Sequence, residues 1–307
     1  MSNTVTYSIV IPVYKSAASL VELCQGIHAV MQQFTYEIIV VDDGSTDTSW
    51  AVIETISVDN KNVVGIRLSR NYGQHSAILC GFTFCRGEYV ITMDDDLQHP
   101  PAEIAKLITK QQLTNADVVY GIYLAKQHSF ARNAGSFYIR KSSIITEGNK
   151  GYGSSFRLIK KTVVDKIVTN QASSFYFLDE LLYWYTGSFE RVEVIHAPRK
   201  YGQSGYSVAK LFKLYTDIVF NYSSFPLRLM TYAGFVFSII TFATAMFFIF
   251  RKLFFKGHFG FTALMVTVLF TASVLMFCMG IIGQYLFKIY QSQHAKPLYS
   301  IREIKNR

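Results

Sequence analysis

Three carboxylates stand side by side at Asp94, Asp95 and Asp96, within the segment MDDDLQHPP (93–101) and directly after the apolar run YVIT (89–92). Like charges this close repel, so such a triplet persists mainly where a cation or a paired base relieves it. Carboxylate oxygens suit Mg²⁺ or Mn²⁺. A metal held at the end of a buried strand can clamp a diphosphate, which points to chemistry on a nucleotide-activated substrate. The plain alternative is an acidic surface turn, since Asp is common in turns. The context of the triplet weighs against that alternative.

Residues 6–121 alternate short β-rich runs (7–13, 37–41, 63–68, 89–93 and 117–120) with helical stretches near 18–33, 46–57, 74–85 and 101–114. This alternation argues an α/β fold, a mostly parallel sheet with helices on both faces. Ligands of such sheets bind beyond the C-terminal strand ends. Four polar turns fall there: Pro12 to Tyr14, Asp42 to Asp47, Ser69 to Gln74, and the acidic triplet. In the second, Gly44 permits the turn and Ser45 or Thr46 can cap the next helix. Capping leaves Asp42 unexplained; it could accept a hydrogen bond from a base N–H. There is no Walker loop, and no GxGxxG follows the first strand, so neither a P-loop enzyme nor a dinucleotide dehydrogenase is favoured.

Half of the 307 residues are apolar and the mean hydropathy is +0.21. The excess is concentrated late in the chain. Residues 229–250 and 259–287 carry no charge, and each run is long enough to cross a bilayer core as a helix. The short connector 251–258 implies an antiparallel hairpin. Lys210, Lys213 and Arg228 precede it, and Lys288, Lys296, Arg302, Lys305 and Arg307 follow it. Positive residues favour the cytoplasmic face, although the connector holds Arg251, Lys252 and Lys256. No apolar run opens the chain, so no signal peptide is expected to export the large domain. The expected division is a catalytic domain at 1–206, an interfacial amphipathic segment at 207–228, a transmembrane hairpin at 229–287 (spans about 229–250 and 261–287) and a cytoplasmic basic tail at 288–307. A net charge of +9 fits a membrane-facing protein that handles anionic ligands. No basic helix or zinc-finger spacing supports nucleic-acid binding. Cys24, Cys80, Cys85 and Cys278 show no CxxC pair and read as reduced packing residues.

The ordered elements SIVIPVY, VVDDGSTD, LSRNYGQ and DDDLQHPP resemble the family 2 glycosyltransferases of GT-A fold. With the two C-terminal spans, the chain is most similar to their polyisoprenyl-phosphate branch, which includes dolichyl-phosphate mannose synthases and bacterial O-antigen-modifying membrane glucosyltransferases. The resemblance covers nearly the whole chain. It implies that Pro12, Tyr14, Asp42 and Asp43 form the base and ribose pocket. Asp94 and Asp95 would lie by the ribose and diphosphate, and Arg70 would support them. Asp94, Asp96 and Gln98 would hold Mg²⁺ or Mn²⁺, with Asp96 the catalytic ligand. Arg132, Arg140 and Arg157 would meet an acceptor phosphate, whose oxygens match the guanidinium fork. Arg199 and Ser204 would reach the diphosphate.

Three departures from the family pattern stand out. Ser155 takes the place where many relatives carry an aspartate before Phe-Arg. Gly205 stands where a lysine is common, and Lys15-Ser16 replaces Asn-Glu after the first strand. With Ser155 in place of the usual base, two explanations stay open. An acceptor phosphate, already ionised at neutral pH, needs little help from a base. Alternatively Asp179 and Glu180 supply the carboxylate that a hydroxyl acceptor would require. A first-turn helix charge explains the same pair without catalysis.

The expected activity is metal-dependent, inverting sugar transfer from a nucleoside-diphosphate sugar to polyprenyl (undecaprenyl) phosphate. It would serve cell-envelope glycan synthesis at the cytoplasmic face of the inner membrane. Transfer to a sugar hydroxyl of a lipid-linked glycan is the alternative. A catalytically silent nucleotide-sugar-binding scaffold is the alternative from another class. Homo-oligomerisation is left open.

Overall fold

The computed structural model describes residues 5–122, 154–170, 178–198, 225–254, 261–293 and 297–306. In chain order these form β1 (Tyr7–Val13), α1 (Ala17–Met31), β2 (Tyr36–Asp42), α2 (Ser49–Asp59), β3 (Val63–Leu68), α3 (Gln74–Phe82) and β4 (Tyr89–Thr92). A 3₁₀ turn (Pro101–Glu103) then leads into α4 (Ile104–Thr114), β5 (Val118–Ile122), β6 (Arg157–Lys160), α5 (Lys161–Thr169), α6 (Leu178–Tyr185) and β7 (Phe189–Glu193). Two long helices follow, α7 (Phe225–Phe254) and α8 (Phe261–Gln293), and β8 (Ile301–Lys305) ends the series.

The eight strands form one sheet in the order β7-β5-β6-β4-β1-β2-β3-β8. Strands β3, β2, β1 and β4 run parallel. β6 pairs antiparallel with both β4 and β5, and β7 lies parallel to β5. The central strands read as continuous apolar runs because both sheet faces are covered. Ile9, Ile11, Ile38 and Val40 pack beneath α1, α2 and α4. Val10, Ile39 and Val41 pack beneath α3, α5 and α6. The chain builds outward from β1 through β2 to β3, then crosses to β4 on the opposite side of β1. That reversal makes the β1–β4 junction the topological switch point.

Pro12 marks the same place. Met93 N–H donates to the carbonyl of Val10, so residue 10 bonds toward β4. Residue 12 faces the same side, but the β1–β4 ladder ends at Val10 and Thr92. The missing N–H of proline therefore costs no ladder bond, which makes Pro tolerable in a strand that is otherwise central.

The C-terminal segment differs from the expected basic tail. Residues 301–305 form β8, antiparallel to β3, with a register shift between Arg67 and Leu68. Ile301 and Ile304 pack on the second core, while Lys305 pairs with Glu54 at 2.7 Å and Glu303 at 2.8 Å. The strand covers an edge of β3 that would otherwise be open to pairing with another chain.

The strands and their helices form one compact unit, and α7 and α8 belong to a second. Among the described residues, one helical stretch is long and apolar enough to cross a membrane, Phe270–Phe287 in α8. The apolar stretch of α7, Tyr232–Thr244, is shorter. The segment at 207–228 expected to be amphipathic lies almost wholly outside the described residues.

Candidate active site

A cleft of about 250 Å³ opens at the C-terminal ends of the parallel strands. Its walls are Pro12, Val13 and Tyr14 from β1, Asp43 after β2, Asn71, Gly73 and Gln74 from the β3–α3 loop, and Asp94, Asp95 and Asp96 after β4. The four polar turns thus meet at the switch point. Each wall is held by identifiable bonds.

Asp43 accepts the backbone N–H groups of Tyr72 (2.7 Å) and Gly73 (2.8 Å), one on each carboxylate oxygen. It ties the β3–α3 loop to β2. Burial pushes its carboxyl above the usual range, and those two N–H groups pull the other way. Gly44 lets the loop approach: at φ +65°, a side chain there would come within 2.5 Å of the Arg70 backbone.

Both oxygens of Asp94 are engaged. Gln74 Nε2 donates to Oδ1 and Ser155 Oγ donates to Oδ2, each at 2.6 Å. Asp95 Oδ2 accepts the Tyr14 N–H at 3.4 Å. Burial raises the Asp95 carboxyl to about 6, helped by the charges of Asp94 and Asp96 and opposed by hydrogen bonds from Ser16 and Tyr14. Asp96 Oδ1 accepts the Gln98 N–H at 3.1 Å. The turn between them puts Leu97 at φ +60°, a conformation that costs a leucine about 1–2 kcal/mol. Lys15, after β1, also has positive φ at 58°.

The donor atoms on this wall are anionic oxygens, which fit a hard divalent cation. Among the described residues, no three His, Cys, Asp or Glu side chains converge to hold a metal alone. A partial shell of one or two carboxylates is what Mg²⁺ sites completed by substrate phosphates require.

Residues 8–182 match the family described as Glycosyl transferase family 2. The chain belongs to glycosyltransferase family 2. It is 36% identical over 305 residues to the undecaprenyl-phosphate 4-deoxy-4-formamido-L-arabinose transferase of Pseudomonas fluorescens (strain SBW25), covering 97% of this chain and 89% of that protein. It is 34% identical to the protein of the same description from Aeromonas hydrophila subsp. hydrophila, covering 97% and 93%. Among solved structures, mannosyl-3-phosphoglycerate synthase from Rubrobacter xylanophilus superposes with a TM-score of 0.51 at 14% identity, over 70% of this chain and 73% of that one. That likeness is one of fold. The protein is thus a glycosyltransferase with a GT-A-like sheet.

In this glycosyltransferase, several other residues singled out by sequence lie outside the cleft lining. Asp42 shares its face of β2 with Ile38 and Val40 and is fully buried. Its Oδ1 accepts the Ser45 N–H at 3.1 Å, and Arg67 Nε lies 3.5 Å from Oδ2 without forming a hydrogen bond. It supports the turn from below, and Asp43 is the residue that lines the cleft. Arg70 stacks over the Tyr72 ring at 4.8 Å, outside the cleft lining. The same loop contributes Gln74, which the sequence reading left without a role although it ends the quoted motif LSRNYGQ.

Arg157 and Asp179, expected to meet an acceptor phosphate and to act as a base, are each other's partner. Arg157 Nη1 forms a short ion pair with Asp179 Oδ1, and both side chains are buried. Tyr120 donates its hydroxyl to the same oxygen at 3.0 Å. The guanidinium of Arg157 is thus enclosed against Asp179 in this structure. Glu180 follows in the first turn of α6, but its side chain is outside what is described. Arg132, Arg140, Arg199 and Ser204 also lie outside the described residues.

Proposed function

We propose that this family 2 glycosyltransferase moves a sugar from a nucleoside-diphosphate sugar to a polyprenyl phosphate such as undecaprenyl phosphate, with inversion at the anomeric carbon. The carrying observation is the cleft at the switch point, where Tyr14 and the Asp43-clamped loop face the acidic wall. The extent of the likeness to the two undecaprenyl-phosphate transferases, 97% of this chain, supports the acceptor class.

Asp43 fixes the loop, Tyr14 offers a ring for the base, and Asp94 and Asp96 present oxygens toward a diphosphate. A bound Mg²⁺ or Mn²⁺ would neutralise charge on the departing nucleoside diphosphate. An oxygen of the acceptor phosphate forms the new bond to the anomeric carbon as the bond to the diphosphate breaks. This oxygen is already ionised, so no general base is needed. The burial of Asp179 against Arg157 accords with that.

The sheet also supports a catalytic domain that lies on one side of the membrane, on two spans. Strands β1–β7 precede α7 and α8, while β8 follows them and joins the same sheet. A chain that leaves and re-enters one sheet crosses a bilayer an even number of times. If α8 spans, α7 therefore spans as well. Its 30 residues make a helix about 45 Å long at 1.5 Å per residue.

The test is transfer of labelled sugar into extractable lipid. Purified protein in detergent receives undecaprenyl phosphate, Mg²⁺ or Mn²⁺ and a panel of nucleotide-sugars including pentose donors. Labelled lipid that disappears with EDTA or in Asp96→Ala is the expected result. Donor binding without labelled lipid from any donor would overturn the phosphate-acceptor reading.

A further inference from the structure

Resting on the metal-assisted donor site proposed above, we infer that Ser155 is a positioning residue that sets the Asp94 carboxylate. The Ser155 hydroxyl donates to Asp94 Oδ2 at 2.6 Å, opposite the bond from Gln74 to Oδ1. The two donors come from different elements, Gln74 from the start of α3 and Ser155 from the approach to β6. Together they restrict the rotation of the carboxylate about its χ2.

Ser155 is itself fixed from behind. Its carbonyl accepts the Thr92 hydroxyl at 2.7 Å. Thr92 in turn accepts Arg157 Nε at 3.2 Å, and Arg157 is anchored by the buried carboxylate of Asp179. A continuous chain of bonds thus runs from the ion pair under α6, through neighbouring strands β6 and β4, to the acidic wall. An alanine here would leave Oδ2 without its donor. The Thr92 bond goes to the Ser155 backbone, so replacing the side chain leaves the rest of the chain of bonds in place.

The experiment is nucleotide binding to the purified full-length protein, with and without Mn²⁺, followed by calorimetry. UDP and GDP serve as separate probes, and Mn²⁺ paramagnetic resonance reports bound metal. Ser155→Ala is expected to weaken Mn²⁺-supported binding by about tenfold or more, the range for losing a hydrogen bond to a charged group. Metal-free nucleotide binding and the thermal midpoint should stay at wild-type values, and Ser155→Thr should restore the metal-supported affinity. Unchanged Mn²⁺-supported binding in Ser155→Ala would overturn the inference while leaving the donor-site reading intact. An equal loss with and without Mn²⁺, accompanied by a lower thermal midpoint, would also overturn it, by showing a structural role only. Absence of any Mn²⁺ effect in the wild-type protein would instead remove the donor-site reading, and this inference with it.

Discussion

Replacing Asp179 with asparagine separates two accounts of that residue. The Arg157 and Asp179 side chains are 3% and 11% exposed, so the pair is held almost entirely away from water. Removing the negative partner leaves a buried guanidinium uncompensated, which typically costs about 3–5 kcal/mol. Asparagine keeps an oxygen toward Arg157 and Tyr120, so the lower end, about 3 kcal/mol, is expected. At roughly 2–4 °C per kcal/mol for a domain of this size, the midpoint should fall by about 6–12 °C. Differential scanning of the detergent-solubilised protein measures this. The double variant Arg157→Met/Asp179→Leu removes both charges and should sit nearer to wild type than the single one, because replacing both members of a buried pair is often close to neutral. Asp179→Asn will also depress transfer, since the bonds that support Asp94 lose their anchor. Loss of activity alone therefore says nothing about a base. An Asp179→Asn protein as stable as wild type but inactive would refute the structural account. It would place Asp179 in the chemistry and favour a hydroxyl acceptor.

Asp43→Asn should raise the nucleotide dissociation constant several-fold and destabilise the fold by about 1–3 kcal/mol, because one backbone N–H of the loop would face an amide NH₂; titration with UDP and GDP and thermal melting measure both. His75 is held down to about 4, chiefly by burial and then by the charge of Arg157. The unfolded chain, near 6.5, takes up the proton first, so this contribution to stability is full above pH 6.5 and is lost as pH falls toward 4. The difference of about 2.5 pH units at 1.36 kcal/mol each amounts to roughly 3 kcal/mol; denaturation curves from pH 7 to 4 should be flatter for His75→Gln, and equal slopes would count against it. A chain ending at Ser300 loses β8 and exposes the β3 edge; size-exclusion chromatography should show aggregation, and a monodisperse, fully stable truncation would contradict the edge-covering role.

The parallel half of the sheet was legible because its strands are buried on both faces and separated by helices, so runs such as SIVIPV stand out at once. The cleft was legible for a related reason: parallel strands place their C-terminal turns together, whatever their distance in the chain. What escaped was set by pairings that local pattern does not carry. Arg157 and Asp179 each read as an available charge, yet each exists to neutralise the other across 22 positions. The choice between Asp42 and Asp43 had a usable signal. Strand parity places Asp42 on the face of Ile38 and Val40, hence under the sheet end, and leaves Asp43 to turn toward the cleft. Strand β8 had almost none. Its two isoleucines are spaced by three, because the register shift opposite Arg67 and Leu68 breaks the alternation that marks a strand.

That last strand changes how the chain is organised. Read from sequence, the catalytic domain ends at residue 206, and the long helices and a basic tail follow it. With β8 paired to β3, the helices are instead an insertion within a single sheet. The sheet is complete only once both helices have been made, so its last edge closes after they emerge. Ser300, just before β8, accepts the Ser69 N–H at 2.8 Å. Ser69 begins the loop whose far end, Gly73 and Gln74, lines the cleft and reaches Asp94. The segment that follows the second long helix therefore borders the loop that forms one wall of the cleft. Its pairing should influence that wall more than a dispensable tail would.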